Sequence, residues 1–130
     1  MISSFDASAG YHQTRVRRGD EYLTAFVCDD GVFEFLCTPF GGKSCGATFC
    51  RAMKLALQPL HKFVDSFVDD MLVHTQGESF TTHLTHIERF LQRMREVNLT
   101  LKRQKCRFAQ KQVKLCGRII GSGAVRPVPD

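Results

Sequence analysis

The sequence predicts an α+β domain, an antiparallel sheet backed by two helices on one face. Three observations carry that prediction. Apolar spacing switches four times along the chain between the alternation of a strand and the three- and four-residue repeat of a helix, giving the order strand, hairpin, helix, hairpin, helix, strands. The chain has 130 residues, 43% of them hydrophobic, enough for one core and one domain over 1–130 without disulfide staples. No repeat or low-complexity segment divides it.

Each element has its own signal. ISSFDAS is a short strand candidate running into Asp6. EYLTAFVCDDGVFEFLCTPF reads as two β-rich runs around an Asp30-Gly31 turn. From Gly46 to about His61 the residues Phe49, Met53, Leu57 and Leu60 recur at helical spacing, with Ser44 as N-cap and Pro59 near the end. KFVDSFVDDMLVHT then reads as a tight hairpin with the acidic pair Asp69-Asp70 at its tip. A second helix is predicted from about Ser79 to Val97, its apolar face formed by Leu84, Ile87, Leu91, Met94 and Val97, with Arg89, Arg93 and Arg95 on solvated faces. LTLKRQKCRFAQKQVKLCGRIIG alternates as two or three strands, and the terminal GSGAVRPVPD reads as linker, since its glycines and prolines break regular structure.

Composition narrows the function classes. The net charge of +5 favours an anionic partner, nucleic acid first among them. Cys28, Cys37, Cys45, Cys50, Cys106 and Cys116 form no C-x-x-C pair and sit inside apolar runs, so they read as reduced thiols of an intracellular protein. The start lacks a signal-peptide pattern, and no run approaches the roughly eighteen apolar residues of a membrane span. A zinc site at His83 and His86, with or without Cys45 and Cys50, is disfavoured because no spacing matches a closed tetrahedral set.

The chemistry lies with the carboxylates. Two adjacent acids at a hairpin tip raise each other's pKa unless a cation sits beside them. Magnesium takes carboxylate oxygens, and a pair of such ions roughly 4 Å apart can serve both the attacking and the leaving oxygen of an in-line phosphoryl displacement. A sheet could bring Asp6 beside Asp69 and Asp70, but Asp is also favoured in turns for its local hydrogen bonds. The residue types alone leave both readings open.

The blocks FDASAGYHQTRV, TAFVCDDGVFEFLCTPFG, ATFCRAM, FVDDMLV and KCRFAQKQVKLCGRII, in that order and over nearly the whole chain, resemble the reverse transcriptases of gypsy-type LTR retrotransposons and retroviral-like pol polyproteins. The resemblance implies a right-handed polymerase palm that uses magnesium, or manganese in its place, to add deoxynucleotides to a primer on an RNA or DNA template. It implies that Asp6 is the first metal-binding aspartate and that Asp69 and Asp70 are the pair of the Y-x-D-D-type motif, with Phe67 for the usual tyrosine. The carbonyl of Ala7 would complete the metal shell. Tyr11 would lie under the incoming sugar and exclude a 2′-hydroxyl, although a tyrosine there is otherwise an ordinary strand aromatic. Phe40 and Gly41 would pack beside nucleotide and template, Phe40 having a core role as its alternative. Leu115, Cys116 and Gly117 would begin the primer grip, whose worth is near-attack positioning of the 3′-hydroxyl.

The same resemblance implies fingers before the Asp6 strand, then a thumb and an RNase H domain after residue 130, so that fingers and thumb are mostly absent here and little processive activity is expected of this stretch alone. It also suggests a setting in the cytoplasm, the nucleus or a virus-like particle. The competing class is a non-catalytic nucleic-acid-binding or domesticated remnant of such a polymerase. Three departures stand out: Gly46 replaces a helix-starting proline, and Asp65 with Ser66 occupies a strand where the family shows apolar residues. An unpaired buried carboxylate is costly, so either that face is exposed or the site is altered. Lys43 is within reach of a phosphate or merely solvated, and the basic run Lys102, Arg103, Lys105 and Arg107 either contacts primer-template phosphates or guards a strand edge.

Overall fold

In the computed structural model, which describes residues 1–77, 79–121 and 123–128, the chain builds a four-stranded antiparallel sheet of order β4-β5-β1-β6. Its strands are β1 (Ile2–Asp6), β4 (Val64–Phe67), β5 (Asp70–His74) and β6 (Arg107–Gln110). Alternation along β1 and β5 sends Ser3, Phe5, Met71 and Val73 to one face. There they meet helices α1 (Cys45–Leu57) and α2 (Phe80–Glu96) in a single core with Phe49, Met53, Ile87, Phe90 and Met94. Phe5 and Phe90 hold the centre, their ring centroids 4.6 Å apart.

Helix α1 buries the predicted stripe, but the helix proper ends at Leu57 and Pro59 falls in a following 3₁₀ turn, Gln58–Leu60. Ser44 precedes α1 without making a side-chain cap bond, whereas Ser79 caps α2 by accepting from the Thr82 N–H. The buried face of α2 is rotated from the predicted one. It consists of His83, Ile87, Phe90 and Met94, while Leu84 remains 47% exposed. The core admits His83 because its ring nitrogens have partners: Nε2 lies 2.8 Å from Ser3 Oγ and Nδ1 lies 2.7 Å from Thr75 Oγ1. Thr75 Oγ1 also bonds His86 Nδ1, and the Ala109 N–H donates to Ser3 Oγ, so one polar network ties α2 to β1 and β6. The two histidines do share a face, and it is occupied by hydroxyls. Arg93 and Arg89 are more than solvated: the first donates to the Ala56 carbonyl and the second lies 5.0 Å from the Phe63 ring centroid.

Two smaller sheets complete the fold. Strands β2 (Phe26–Cys28) and β3 (Gly31–Phe33) pair as predicted, but Cys28 pairs with Gly31, so the turn is Asp29-Asp30 rather than Asp30-Gly31. This excursion is pinched at its base by the Arg15–Cys37 bridge and by the Thr38 N–H bonding the Thr14 carbonyl. Strands β7 (Gln112–Leu115), β8 (Arg118–Gly121) and β9 (Ala124–Pro127) form a meander. Strand β9 corrects the linker reading: Arg118 to Gly121 pairs with Ala124 to Pro127 and absorbs the proline at the strand end. Ser122, Pro129 and Asp130 of that stretch lie outside the described residues. All six cysteines are free, and among the described residues no helix is long and apolar enough to cross a membrane.

Candidate active site on the open face of the sheet

The same alternation that buries Phe5 turns Asp6 to the opposite face, and the β1–β5 register sets Asp6 directly across from Asp70. The β4–β5 hairpin closes through Val68 and Asp69, since Phe67 pairs with Asp70. Asp69 therefore occupies the turn, and Asp70 opens β5 rather than sharing the tip. Val68 has φ 56°, a conformation strained for a β-branched residue, in the position where a tight hairpin turn prefers glycine. The turn is clamped onto β1 because the Ala7 N–H donates to the Asp69 carbonyl at 3.0 Å.

Negative charge in this cluster is only partly compensated. Burial first, then the charges of Asp69 and Asp6, push the Asp70 carboxyl above its ordinary value. The one cation on the cluster, among the described residues, is Lys105, whose Nζ donates to Asp6 Oδ2 at 2.7 Å. That bond pushes the Lys105 ammonium above its usual range. Lys105 closes a 3₁₀ turn, Arg103–Lys105, that is anchored to β1 by the Lys102 N–H bonding the Asp6 carbonyl at 2.9 Å. Sequence reasoning placed Lys105 only in a basic run; no local signal marks a partnership between residues so far apart in the chain.

Carboxylate oxygens, with a backbone carbonyl beside them, are the donors magnesium takes, and Asp69 and Asp6 stand close enough to Asp70 to help raise its pKa. The residues fit in kind. Their side chains are not drawn together, for among the described residues no three His, Cys, Asp or Glu groups are gathered to hold a metal ion. Asp6 is instead held by Lys105.

The remaining candidates surround this floor. The β7–β8 turn, Cys116-Gly117, has positive φ at both residues, the pattern of a hairpin that follows strand twist. It reaches the cluster, since the Cys116 thiol donates to Asp70 Oδ2 at 3.8 Å, and burial followed by the Asp70 charge pushes that thiol up. A cavity of about 480 Å³ lies between the sheet face and β7, with Asp6 and Asp70 on its floor and Lys105, Arg107 and Lys114 on its walls. Tyr11 lies in a 3₁₀ turn, Gly10–Gln13, beyond the end of β1, with its ring 5.3 Å from those of Phe40 and Phe49. Gly10 is required there, since a Cβ would come within 2.8 Å of the Phe49 ring. Phe40 is exposed rather than core, and Gly41 follows it with φ 86°. Asp65 is exposed on edge strand β4 and pairs with His74 at 3.2 Å, so the exposed alternative holds. Gly46 lies inside α1 facing the Tyr11 hydroxyl.

A helix-backed antiparallel sheet with acids on adjacent strands and a basic-walled cleft is the floor of a polymerase palm. The sequence model of the family described as reverse transcriptase (RNA-dependent DNA polymerase) matches residues 1–120, and the chain belongs to that family. It is 35% identical over 128 residues to the transposon Tf2-3 polyprotein of Schizosaccharomyces pombe and 34% identical to the Tf2-7 polyprotein; each match covers 98% of this chain. The chain spans only 10% of those polyproteins. Its fold matches the foamy viral protease-reverse transcriptase solved in complex with RNA/DNA hybrid, with a TM-score of 0.88 and 20% identity over 98% of this chain and 17% of that one. A second form of that protein, solved with double-stranded DNA, gives the same score over 22% of its chain. The retrotransposon resemblance and the palm fold are thus met.

Proposed function

We propose that this chain is the palm of an RNA-directed DNA polymerase, with Asp6, Asp69 and Asp70 as its metal-binding acids. The observation that carries the reading is the β1–β5 register, which puts Asp6 opposite Asp70 with Asp69 in the adjoining turn. Bound magnesium, as two ions, would supply charge stabilisation at the attacking and leaving oxygens of an in-line displacement. Asp6, Asp69 and Asp70 would hold those ions, and the Ala7 carbonyl would add a neutral oxygen donor. The primer 3′-oxygen bonds to the α-phosphorus of a deoxynucleoside triphosphate, and pyrophosphate leaves. Leu115, Cys116 and Gly117 press the primer end toward the acids; the Cys116–Asp70 contact supports that placement. Tyr11, braced by Phe40 and Phe49, leaves no room for a 2′-hydroxyl, and Phe40 with Gly41 borders the nucleotide and template base. Lys105, Arg107 and Lys114 suit the phosphates of a primer and template.

The chain spans only 10% of the curated polyproteins it matches, and extension by this stretch alone is expected to be weak. Primer extension with magnesium should be abolished by Asp69→Asn, while robust processive extension by the 130-residue chain would contradict the domain reading. Independently, magnesium or manganese should raise the thermal midpoint of the wild type and leave an Asp69→Asn/Asp70→Asn double variant unmoved. Equal responses of the two would refute the metal site and favour a non-catalytic, nucleic-acid-binding remnant.

A further inference from the structure

We propose that Lys105 is a built-in counter-ion of the acidic cluster, holding Asp6 while the site is free of metal and giving way when a divalent cation arrives, so that it sets how tightly the site takes metal. This rests on the metal-site reading above. Its carrying observation is the 2.7 Å bond from Lys105 Nζ to Asp6 Oδ2, in a cluster where no other ammonium or guanidinium among the described residues reaches ion-pair distance of Asp6, Asp69 or Asp70.

The two partners are unequally free. The Asp6 side chain is 14% exposed and its strand is paired on both edges, so its backbone is fixed by the sheet and its short side chain has little reach. The Lys105 side chain is 54% exposed, and the flexible four-carbon stem can swing into the cavity that it lines. Its backbone cannot leave. The turn carrying it is bonded to β1 through Lys102 and Asp6, and Leu101 bridges to Ala7. The ammonium is therefore tethered within reach of the acids whether bound or displaced.

An ammonium and a divalent ion compete for the same oxygens and repel each other at contact distance. Removing the lysine charge removes both effects, so metal affinity should rise while the metal-free cluster loses its only compensation. A purely structural lysine would do neither. Lys105 thus acts through Asp6: it neutralises that carboxylate until a stronger cation replaces it.

The test uses Mn²⁺ as the probe, with unbound Mn²⁺ counted by its paramagnetic resonance signal. Lys105→Gln should bind Mn²⁺ about five- to tenfold more tightly than wild type, and Lys105→Arg should stay within about twofold of it. Without metal, Lys105→Gln should lower the thermal midpoint, and that loss should vanish in an Asp6→Asn background. Lys105→Ala is the second variant should the glutamine find a new bond. Mn²⁺ binding by folded Lys105→Gln and Lys105→Ala that is equal to or weaker than wild type would overturn the inference. So would the absence of coupling between Lys105 and Asp6 in the metal-free cycle. If the wild type takes up no Mn²⁺ that the Asp69→Asn/Asp70→Asn variant loses, the metal-site reading fails and the displacement falls with it; the metal-free cycle then separates that failure from a failure of the ion pair.

Discussion

The helix-backed sheet and the β2–β3 hairpin are built from the same kinds of residue and end in opposite environments. Phe5, Val73 and Phe90 are at most 1% exposed, whereas Val27 on the hairpin is 79% exposed and Phe26, Val32 and Phe33 are all exposed. Pairing is sound in both: Phe26 faces Phe33 and Val27 faces Val32 across the hairpin, with the two rings stacked at 5.9 Å. What differs is cover. Two helices lie over the first sheet, and no element of the described chain lies over the hairpin. A β-rich apolar run guarantees a strand, and only a second layer turns that strand into core.

The largest effect should come from cutting the covered region. Phe90→Ala should cost about 3–5 kcal/mol in urea unfolding, enough to threaten the fold, against about 0.5 kcal/mol for Phe33→Ala. Comparable losses would mean that the hairpin shares the core. Next comes valine in two backbone settings. Val73→Gly should cost about 3 kcal/mol through lost burial and gained chain entropy, whereas Val68→Gly should stay within about 1 kcal/mol of wild type, because release from φ 56° offsets the lost contacts. Equal destabilisation of the two would show that the turn stores no strain.

A smaller effect separates the regions by pH. Burial first, then the amino-terminal charge and His86, holds His83 below its ordinary 6.5. The unfolded chain therefore binds more protons than the folded one between the folded value and 6.5. Stability from this residue is complete above about 6.5 and is lost as the pH falls below it. Urea midpoints at pH 7.5 and pH 5 should differ in wild type and converge in His83→Gln; an unchanged gap would locate the acid sensitivity elsewhere. The smallest change is on the hairpin surface. Val27→Thr with Val32→Thr should alter stability by no more than about 0.5 kcal/mol while reducing binding of an apolar dye, and undiminished dye binding would place the exposed patch elsewhere.

Where sequence and structure part, long-range contacts are the reason. Helix α2 carries two almost equivalent apolar stripes, and Leu84 and Leu91 look better than His83 and Phe90 by hydropathy. The choice fell to Ser3 and Thr75, hydroxyls on other strands that make a buried imidazole affordable. Strand β9 was hidden because glycine and proline read as punctuation, yet its partner β8 satisfies the backbone that composition alone would leave in solvent. At the acidic cluster the family resemblance offered Asp6, Asp69 and Asp70 as candidates, but nothing in the sequence offered the lysine that sits on Asp6.

By itself the sequence determined the periodicities, and with them two helices, the Asp6 strand, the acidic hairpin and the family, because each is written in residues close together along the chain. Tertiary structure alone decided which stripe of α2 is core, which apolar hairpin stays uncovered, and which cation neutralises Asp6. Those outcomes depend on what one segment meets from another, and the energy of a contact between β1 and the turn before β6 is recorded in neither segment separately.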